Sequence, residues 1–236
     1  PFLEERLIAL GANKSDQQSI FKRKSLKDEL PLKLDGLTLE VLFSARSPYS
    51  YLALPQLIEF RKRYPIKVVY SPILPMVMRG MVINREKMFY ILSDCKRIAE
   101  KKGIPFGNIV DPLGKAVERC YSLFKFIKEK GKEEDYFNAF LRAVWSEGQH
   151  GYLDQTIKNV VEKIDLNWEE AKKELDKDDW HEEIETNRLA LYKVGKWGPP
   201  TMILKNRDKE VVLSVWGQDR IWLIEEKLYL MQERNK

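Results

Sequence analysis

The chain has 236 residues, of which 44% are hydrophobic and 33% charged, and its net charge is +5. This composition is typical of a soluble globular protein, long enough for one domain with an insertion or for two small domains. The basic runs are short and interleaved with acidic residues, which argues against a nucleic-acid-binding protein. No stretch approaches the roughly 18 apolar residues of a membrane span, and no secretory signal is visible, so we expect a cytoplasmic protein without a membrane partner.

The two cysteines and two histidines exclude several kinds of site. Cys95 and Cys120 fall on the apolar stripes of predicted helices, so we expect buried free thiols, although a disulfide between them stays possible. His150 and His181 have no metal-ligand spacing to cysteine or acidic partners, so we predict no metal site. So few histidines also argue against a Ser-His-acid triad.

Residues 1–36 are mixed in charge and end in the turn Asp35-Gly36, and we interpret them as an N-terminal arm of unknown role. The short apolar run Leu39–Phe43 then predicts a buried strand. Ser47 before Pro48 predicts a helix start, with Ser47 as the N-cap and Pro48 as the first helical residue. A buried strand therefore delivers Ser47 and Ser50 to a helix N-terminus.

This position has a chemical use. A helix N-terminus carries free N–H donors and a partial positive charge, which stabilise an anion. Ser47 and Ser50 lie three residues apart on one face, where many oxidoreductases place Cys-x-x-Cys. A serine cannot exchange disulfides, but its hydroxyl can donate a hydrogen bond to a thiolate carried by another molecule. The alternative is that Ser47 is a plain N-cap.

The order of the remaining elements predicts the fold. Ile66–Tyr70 is a second strand, expected to be parallel to the first. Between residues 72 and 194 nearly every periodic segment is helical. The strands Thr201–Leu204 and Val211–Val215 then form an antiparallel hairpin, followed by a helix that starts near Gly217. We therefore predict an α/β protein with a thioredoxin-like βαβ…ββα core, formed by residues 37–71 and 195–236, and an inserted all-helical domain, residues 72–194.

Two loops of this core are further candidates for the site. Trp197–Thr201 contains a proline leading into a strand, where a cis X–Pro bond is expected, and should lie against the first helix N-terminus. Trp216–Arg220 begins the last helix, and its Gln218 and Asp219 could receive an ammonium group. The alternatives are an ordinary rigid loop for the first segment and a dipole-complementing Asp219 for the second.

Together these motifs resemble the kappa-class glutathione transferase and 2-hydroxychromene-2-carboxylate isomerase family, a branch of the DsbA-like thioredoxin fold. The resemblance covers residues 39–232. The matching segments are Ser47–Ala53, Gly198–Thr201 and Trp216–Arg220, together with Asn84, Lys87, Tyr90 and Asp94 in the helical insertion.

The resemblance implies that glutathione is the cofactor and lies over the first helix. Ser47 then matches the catalytic serine that hydrogen-bonds the glutathione sulfur. Asp219 would bind the γ-glutamyl ammonium, assisted by Gln218. The other glutathione-binding positions would be Ser50, Asn84, Lys87, Pro199 and Pro200. The family also implies isomerase or transferase activity on a small, aromatic second substrate, with its pocket lined by the insertion, and a homodimer.

The sequence departs from the family at two positions. Pro199 stands where the family has an aliphatic residue whose N–H pairs with glutathione, and the loss of that donor should weaken binding by roughly 0.5–1.5 kcal/mol. Arg46 could supply a compensating donor. Arg85-Glu86 replaces the prolines that follow the family's asparagine. The competing functions are a relative of the DsbA-like thiol–disulfide oxidoreductases and a non-catalytic binding module with the same fold.

Overall fold

A mixed sheet of four strands, in the order β2-β1-β3-β4, forms the centre of the computed structural model, which describes residues 34–233. The strands are β1 (Thr38–Phe43), β2 (Lys67–Pro72), β3 (Thr201–Lys205) and β4 (Val211–Trp216). β1 pairs in parallel with β2 and antiparallel with β3, and β3 pairs antiparallel with β4. The predicted parallel unit and hairpin are confirmed, with strand ends displaced by one or two residues.

Helix α1 (Pro48–Arg63) connects β1 to β2, and the connection from β2 to β3 consists of helices joined by loops. Its helices are α2 (Arg85–Lys102), α3 (Lys115–Ser122), α4 (Phe124–Glu129), α5 (Glu133–Trp145), α6 (Asp154–Lys163), α7 (Trp168–Lys172) and α8 (His181–Lys193), preceded by a 3₁₀ turn at Met76–Arg79. A second 3₁₀ turn, Gln218–Arg220, leads into α9 (Ile221–Glu233). The predicted thioredoxin-like core with a helical insertion is confirmed.

The sheet and the inserted helices share one hydrophobic core. Alternate residues of β1, namely Leu39, Val41 and Phe43, point to the same face and are almost completely buried. The Phe43 ring lies 4.3 Å from the Phe137 ring of α5, in an edge-to-face arrangement. Helix α1 packs against both α2 and α5. Because this core is continuous, the position of the inserted helices is fixed relative to the sheet.

The opposite face of the sheet is covered by α8. Leu42 and Ile203 point to this face and pack with Leu191 of α8. The buried Asn187 side chain donates a hydrogen bond to the Pro72 carbonyl at 2.9 Å. The sheet is thus buried on both sides, which explains why β1 and β3 read as nearly continuous apolar runs in the sequence.

One apolar stripe of the sequence has two roles in the structure. The stripe that carries Cys95 consists of Met88, Ile91, Leu92, Cys95, Ile98 and Ala99, of which Cys95 and Ala99 are buried in α2. Ile91, Leu92 and Ile98 are partly buried and pack against the core, and together with Met88 they also line a cavity. Periodicity identifies the apolar face of a helix but does not distinguish a core from a cavity wall.

The predicted N-terminal arm, residues 1–36, lies almost entirely outside the described residues. The division into arm, thioredoxin-like domain and insertion therefore stays a prediction. Within residues 34–233, none of the helices combines the length and apolarity that a membrane crossing requires.

Candidate functional site

Ser47 caps α1. Its backbone is extended, and its Oγ accepts a hydrogen bond from the Ser50 N–H at 3.2 Å, while Pro48 occupies the first helical position. The residue is 8% exposed, and its Oγ lies 3.5 Å from the Pro199 carbonyl oxygen. The predicted helix start is therefore confirmed, and the capping serine reaches a second loop of the core.

Ser50 takes a structural position. Its side chain is buried, does not line the cavity, and accepts a hydrogen bond from the Ser44 N–H at 3.3 Å. This bond fixes the loop between β1 and α1. Ser47 therefore lines the cavity, whereas Ser50 is buried outside it, because the side chains of a helix point in different directions within its first turn.

The Gly198–Thr201 loop lies against this helix start. The Pro199–Pro200 peptide bond is cis, as predicted. The Thr201 hydroxyl donates to the Gly198 carbonyl at 2.8 Å, and the Gly217 N–H donates to the Pro200 carbonyl at 2.9 Å. A Cβ atom at position 198 would come within 2.3 Å of the Trp216 ring, so glycine allows the two predicted loops to pack together.

Gln218 and Asp219 differ in environment. Gln218 is buried, and its side-chain carbonyl accepts hydrogen bonds from the Gln56 amide at 2.8 Å and the Lys102 ammonium at 3.4 Å. Asp219 is more than half exposed, and its Oδ2 accepts a hydrogen bond from Arg220 Nε at 3.0 Å. Both residues line the cavity, as predicted from the Trp216–Arg220 motif.

These pieces enclose a cavity of about 790 Å³. Its volume lies within the range of small-molecule sites. The polar side chains that line it are Ser44, Arg46, Ser47, Lys87, Asp94, Asp111, Gln218 and Asp219, and its aromatic side chains are Tyr49, Tyr90, Trp145, Trp197 and Trp216. Most of the remaining wall is aliphatic and comes from the helical insertion, including α2. The cavity therefore combines a polar end at the thioredoxin-like loops with a largely apolar wall.

Of the two residues predicted from the insertion, one lines the cavity. Lys87 is a lining residue, and its ammonium lies 5.8 Å from the centre of the Trp197 ring. Asn84 is the N-cap of α2, where its Oδ1 accepts from the Lys87 N–H at 2.9 Å, and it does not line the cavity. Asn84 therefore positions the helix turn that carries Lys87.

An ion pair joins the core to the insertion at the cavity wall. The Arg46 guanidinium donates from Nε to Asp111 Oδ1 and from Nη2 to Asp111 Oδ2, both at 2.7 Å. Arg46 was expected to compensate for the missing Pro199 N–H, and in the structure it pairs with Asp111 instead. Asp111 directly precedes Pro112 and is 65 residues from Arg46, so no local pattern predicts the contact.

The aromatic lining was only partly visible in the sequence. Trp197 and Trp216 directly precede the glycines of the two predicted loops, and their rings meet edge to face at 4.4 Å. Their positions next to Gly198 and Gly217 were the feature of the sequence that could have predicted that they line the site. Tyr49 donates a hydrogen bond to Asp94 Oδ2 at 2.8 Å, and burial, together with that bond, raises the pKa of the tyrosine.

Both cysteine thiols lie outside the cavity. Cys95 and Cys120 are buried and unbridged, as expected, and neither lines the cavity. Burial raises the pKa of each thiol above its ordinary value of 9.0. Among the described residues, no cluster of three or more histidine, cysteine or acidic side chains could hold a metal ion.

Residues 38–229 match the DSBA-like thioredoxin domain family, which is most of the chain. The chain belongs to the DsbA-like thioredoxin family. The resemblance stated from the motifs is also confirmed, since a 2-hydroxychromene-2-carboxylate isomerase of Pseudomonas putida is 25% identical over 209 residues, 84% of this chain and 98% of the isomerase.

Solved structures show the same DsbA-like fold. The selenomethionine form of a 2-hydroxychromene-2-carboxylate isomerase matches with a TM-score of 0.70 and 23% identity, over 84% of this chain and 97% of that one. The cytosolic disulfide reductase DsbM of Pseudomonas aeruginosa matches with a TM-score of 0.62 and 17% identity, over 84% and 98% of the two chains. The same reductase has been solved with GSH, and that structure matches with a TM-score of 0.58 and 15% identity, over 84% and 98%.

Proposed function

We propose that this DsbA-like protein is a glutathione-dependent isomerase in which Ser47 stabilises the glutathione thiolate. The observation that carries the proposal is the position of the Ser47 hydroxyl at the N-terminus of α1, in the wall of the 790 Å³ cavity and beside the Pro199 carbonyl. An isomerase relative that the chain covers almost completely, and a fold relative solved with GSH, support it.

The residues present fit the sulfur of glutathione. Ser47 Oγ accepts a hydrogen bond from the Ser50 N–H, and its own contact as a donor, to the Pro199 carbonyl at 3.5 Å, is at the outer limit of a hydrogen bond. Its proton is therefore available to a ligand. The α1 N-terminus adds a favourable electrostatic field for an anion. When bound, glutathione would supply a nucleophilic thiolate. Ser47 would hold that sulfur in its ionised form and orient it toward the cavity.

The loop that follows β4 fits a zwitterionic amino-acid group. Asp219 Oδ2 is paired with Arg220, and Oδ1 has no hydrogen-bond partner among residues 34–231, so it can receive an ammonium. The Gln218 carbonyl accepts from Gln56 and Lys102, and its NH₂ group, which has no hydrogen-bond partner among residues 34–231, remains as a donor. We therefore assign the γ-glutamyl ammonium to Asp219 and the adjacent carboxylate to the Gln218 amide.

The aromatic side chains that line the cavity suit an aromatic second substrate. Trp145, Trp197, Trp216 and Tyr90 all line the cavity, and aromatic side chains bind flat rings through offset or edge-to-face contacts. The name of the isomerase relative describes a substrate of this kind, a bicyclic carboxylate. We propose a substrate with an aromatic ring for this chain as well.

Thiol–disulfide exchange is the weaker candidate, although fold relatives include a disulfide reductase. Exchange needs a sulfur nucleophile, whereas the α1 N-terminus carries Ser47 and both cysteines are buried outside the cavity. A non-catalytic binding module remains consistent with Pro199, which has no N–H for a bound peptide unit. The position of the Ser47 hydroxyl at a helix N-terminus in the cavity wall favours the enzyme.

The proposal predicts a change in the thiol pKa of bound glutathione when Ser47 is replaced. Thiolate absorbance, followed as a function of pH on the protein–glutathione complex, should give a pKa below the ordinary value of about 8.5 for the wild type. In Ser47→Ala the loss of one charge-assisted donor should raise that pKa by about one unit. Glutathione affinity at neutral pH, measured by calorimetry, should change by less than about threefold.

Two matched variants control this experiment. Ser47→Thr keeps both the hydroxyl and the N-cap and should retain the lowered pKa. Ser93→Ala changes an exposed serine of α2 outside the cavity and should behave as the wild type. The proposal is wrong if millimolar glutathione gives no heat with the wild-type protein, or if Ser47→Ala leaves the bound thiol pKa unchanged.

A further inference from the structure

Arg46 is the cation that the proposed glutathione contacts leave unused. Among the residues that line the cavity, the cationic side chains are Arg46 and Lys87. Lys87 lies over Trp197, beside the cis-proline loop, and the resemblance already assigns it to glutathione. Arg46 precedes Ser47 and points its guanidinium toward Asp111 of the insertion. The cavity therefore has a second positive group, and that group faces the part of the wall that the helical insertion provides.

The pairing with Asp111 leaves part of the guanidinium free. Asp111 accepts hydrogen bonds from the Nε–Nη2 edge of the guanidinium, and each contact measures 2.7 Å. An arginine has five N–H donors, so both N–H groups of Nη1 and one of Nη2 remain. None of these has a partner among residues 34–231. The Nη1–Nη2 edge can bind a second carboxylate through two parallel hydrogen bonds, as the Nε–Nη2 edge binds Asp111.

The segment that carries Asp111 is held in place, so the orientation of Arg46 is fixed. The Gly107 N–H donates to the Trp145 carbonyl at 3.1 Å, and the Val110 N–H donates to the Val144 carbonyl at 2.8 Å. The Tyr51 hydroxyl donates to the Pro105 carbonyl at 2.6 Å. An arginine that is already oriented loses little side-chain entropy when it binds a ligand.

An aromatic wall adjoins Arg46. The Trp145 indole N–H donates to the carbonyl of Ala45, the residue directly before Arg46, at 3.4 Å. Trp145 and Ile109, which lies near Asp111 in sequence, both line the cavity. The Arg46 side chain is 16% exposed, compared with 49% for Asp111, so its charge is partly shielded from water. Shielding strengthens the attraction between a cation and an anionic ligand.

We propose that Arg46 is a specificity-determining residue that binds the carboxylate of the second substrate, while Trp145 contacts its ring. This inference rests on the proposed function, because it assigns the second-substrate end of the same cavity. Asp111 is a positioning residue in this arrangement: it orients the guanidinium and leaves the Nη1–Nη2 edge to the ligand. Arg46 then discriminates between an aromatic carboxylate, the kind of compound that the isomerase relative's name describes, and the neutral amide of the same ring.

The test uses 1-naphthoate and its neutral counterpart 1-naphthamide as probes, titrated by calorimetry into the full-length protein without glutathione. The wild type should bind naphthoate more tightly than naphthamide. Arg46→Met should weaken naphthoate binding by roughly ten- to a hundredfold, the range for charged hydrogen bonds, and leave naphthamide binding unchanged. Arg46→Lys keeps the positive charge but cannot form two parallel hydrogen bonds with a carboxylate, so its affinity for naphthoate should lie between those of the wild type and Arg46→Met.

Arg188 offers a matched control. It pairs side-on with Glu185 through Nε, at 2.7 Å, and Nη2, but it lies on α8 and does not line the cavity. Arg188→Met should leave the preference for naphthoate intact. The inference is overturned if wild-type protein does not bind naphthoate at millimolar concentration, or if Arg46→Met weakens both probes equally.

A glutathione titration separates the two possible sources of the carboxylate. If Arg46→Met binds glutathione within about twofold of wild type, the carboxylate at Arg46 belongs to the second substrate. If glutathione binding is lost instead, Arg46 recognises a glutathione carboxylate, and the inference is overturned while the proposed function stands. Failure of the Ser47 experiment with an intact Arg46 effect would reject only the proposed function.

Discussion

At the scale of single residues, the Ser47 hydroxyl takes part in two contacts of unequal quality. Its oxygen accepts a bond of 3.2 Å from the Ser50 N–H, and its contact with the Pro199 carbonyl is 3.5 Å long. The short contact caps the helix, whereas the long one contributes little stability. The hydroxyl proton can therefore be redirected to a ligand without disturbing the cap.

The two thiols give a prediction at the same scale. Because burial raises the pKa of Cys95 and Cys120, neither is a thiolate near neutral pH, and neither is accessible. An aromatic disulfide reagent should release almost no chromophore from the native protein, and the equivalent of two thiols after unfolding in guanidinium. Rapid reaction of one native thiol would restore disulfide exchange as a candidate function.

At the scale of elements, the helical insertion is fastened by a buried arginine. Arg119 of α3 is 5% exposed and donates to Asp176 at 3.0 Å, to Asp154 at 2.6 Å, and to the Tyr152 carbonyl. These partners lie before α6, at its first residue and after α7. One guanidinium thus connects three segments of the insertion, in addition to the hydrophobic core that they share.

Removing that guanidinium should destabilise the protein. Arg119→Met loses several charge-assisted hydrogen bonds, but its acidic partners are more than half exposed and can be solvated, so we expect a loss of about 1–3 kcal/mol in the free energy of unfolding. Urea denaturation measures it. Arg142→Met, which breaks the exposed pair with Glu147, should cost less than about 0.5 kcal/mol. Equal losses in the two variants would contradict the role of Arg119.

The elements differ in how far the sequence predicts them. The N-cap of α1 depends only on the adjacent residues Ser47 and Pro48, and the cis bond of the loop before β3 depends only on Pro199 and Pro200. Local sequence patterns predict both features well. The meeting of those two segments follows from the thioredoxin-like order of elements. The Arg46–Asp111 pair depends on how the insertion folds back over the core, and no spacing encodes it. The apolar stripe of α2 has the same limit. The sequence shows which face of the helix is apolar, but it does not show that part of this face lines a cavity.

At the scale of the whole molecule, buried acids of high pKa link stability to pH. Burial raises the pKa of Cys95 and Cys120 above 9.0, and of Tyr70, Tyr121 and Tyr136 above 10.0. The unfolded chain releases these protons at lower pH than the folded chain does. The contribution of these groups is therefore complete below about pH 8 and is lost as the pH rises past about 9.

This linkage predicts alkaline destabilisation. Once the pH exceeds the ordinary pKa, each such group should lower the free energy of unfolding by about 1.4 kcal/mol per pH unit. Urea denaturation curves between about pH 7 and about pH 10.5 measure the slope. Cys120→Ala removes one of the groups and should give a shallower alkaline slope from a lower starting stability. A stability that stays constant up to about pH 10.5 would show that these groups titrate alike in both states.

The pairing of the sheet also determines when a ligand-binding surface can exist during synthesis. β1 leaves the ribosome early, but its register joins Leu42 to Thr201, and the loop with Gln218 and Asp219 follows later still. A nascent chain that ends within the helical insertion therefore presents the Ser47 hydroxyl without the loops that face it. A small molecule can therefore bind only after β3, β4 and the loop with Gln218 and Asp219 have been synthesised, so any stabilisation that a ligand provides begins only then.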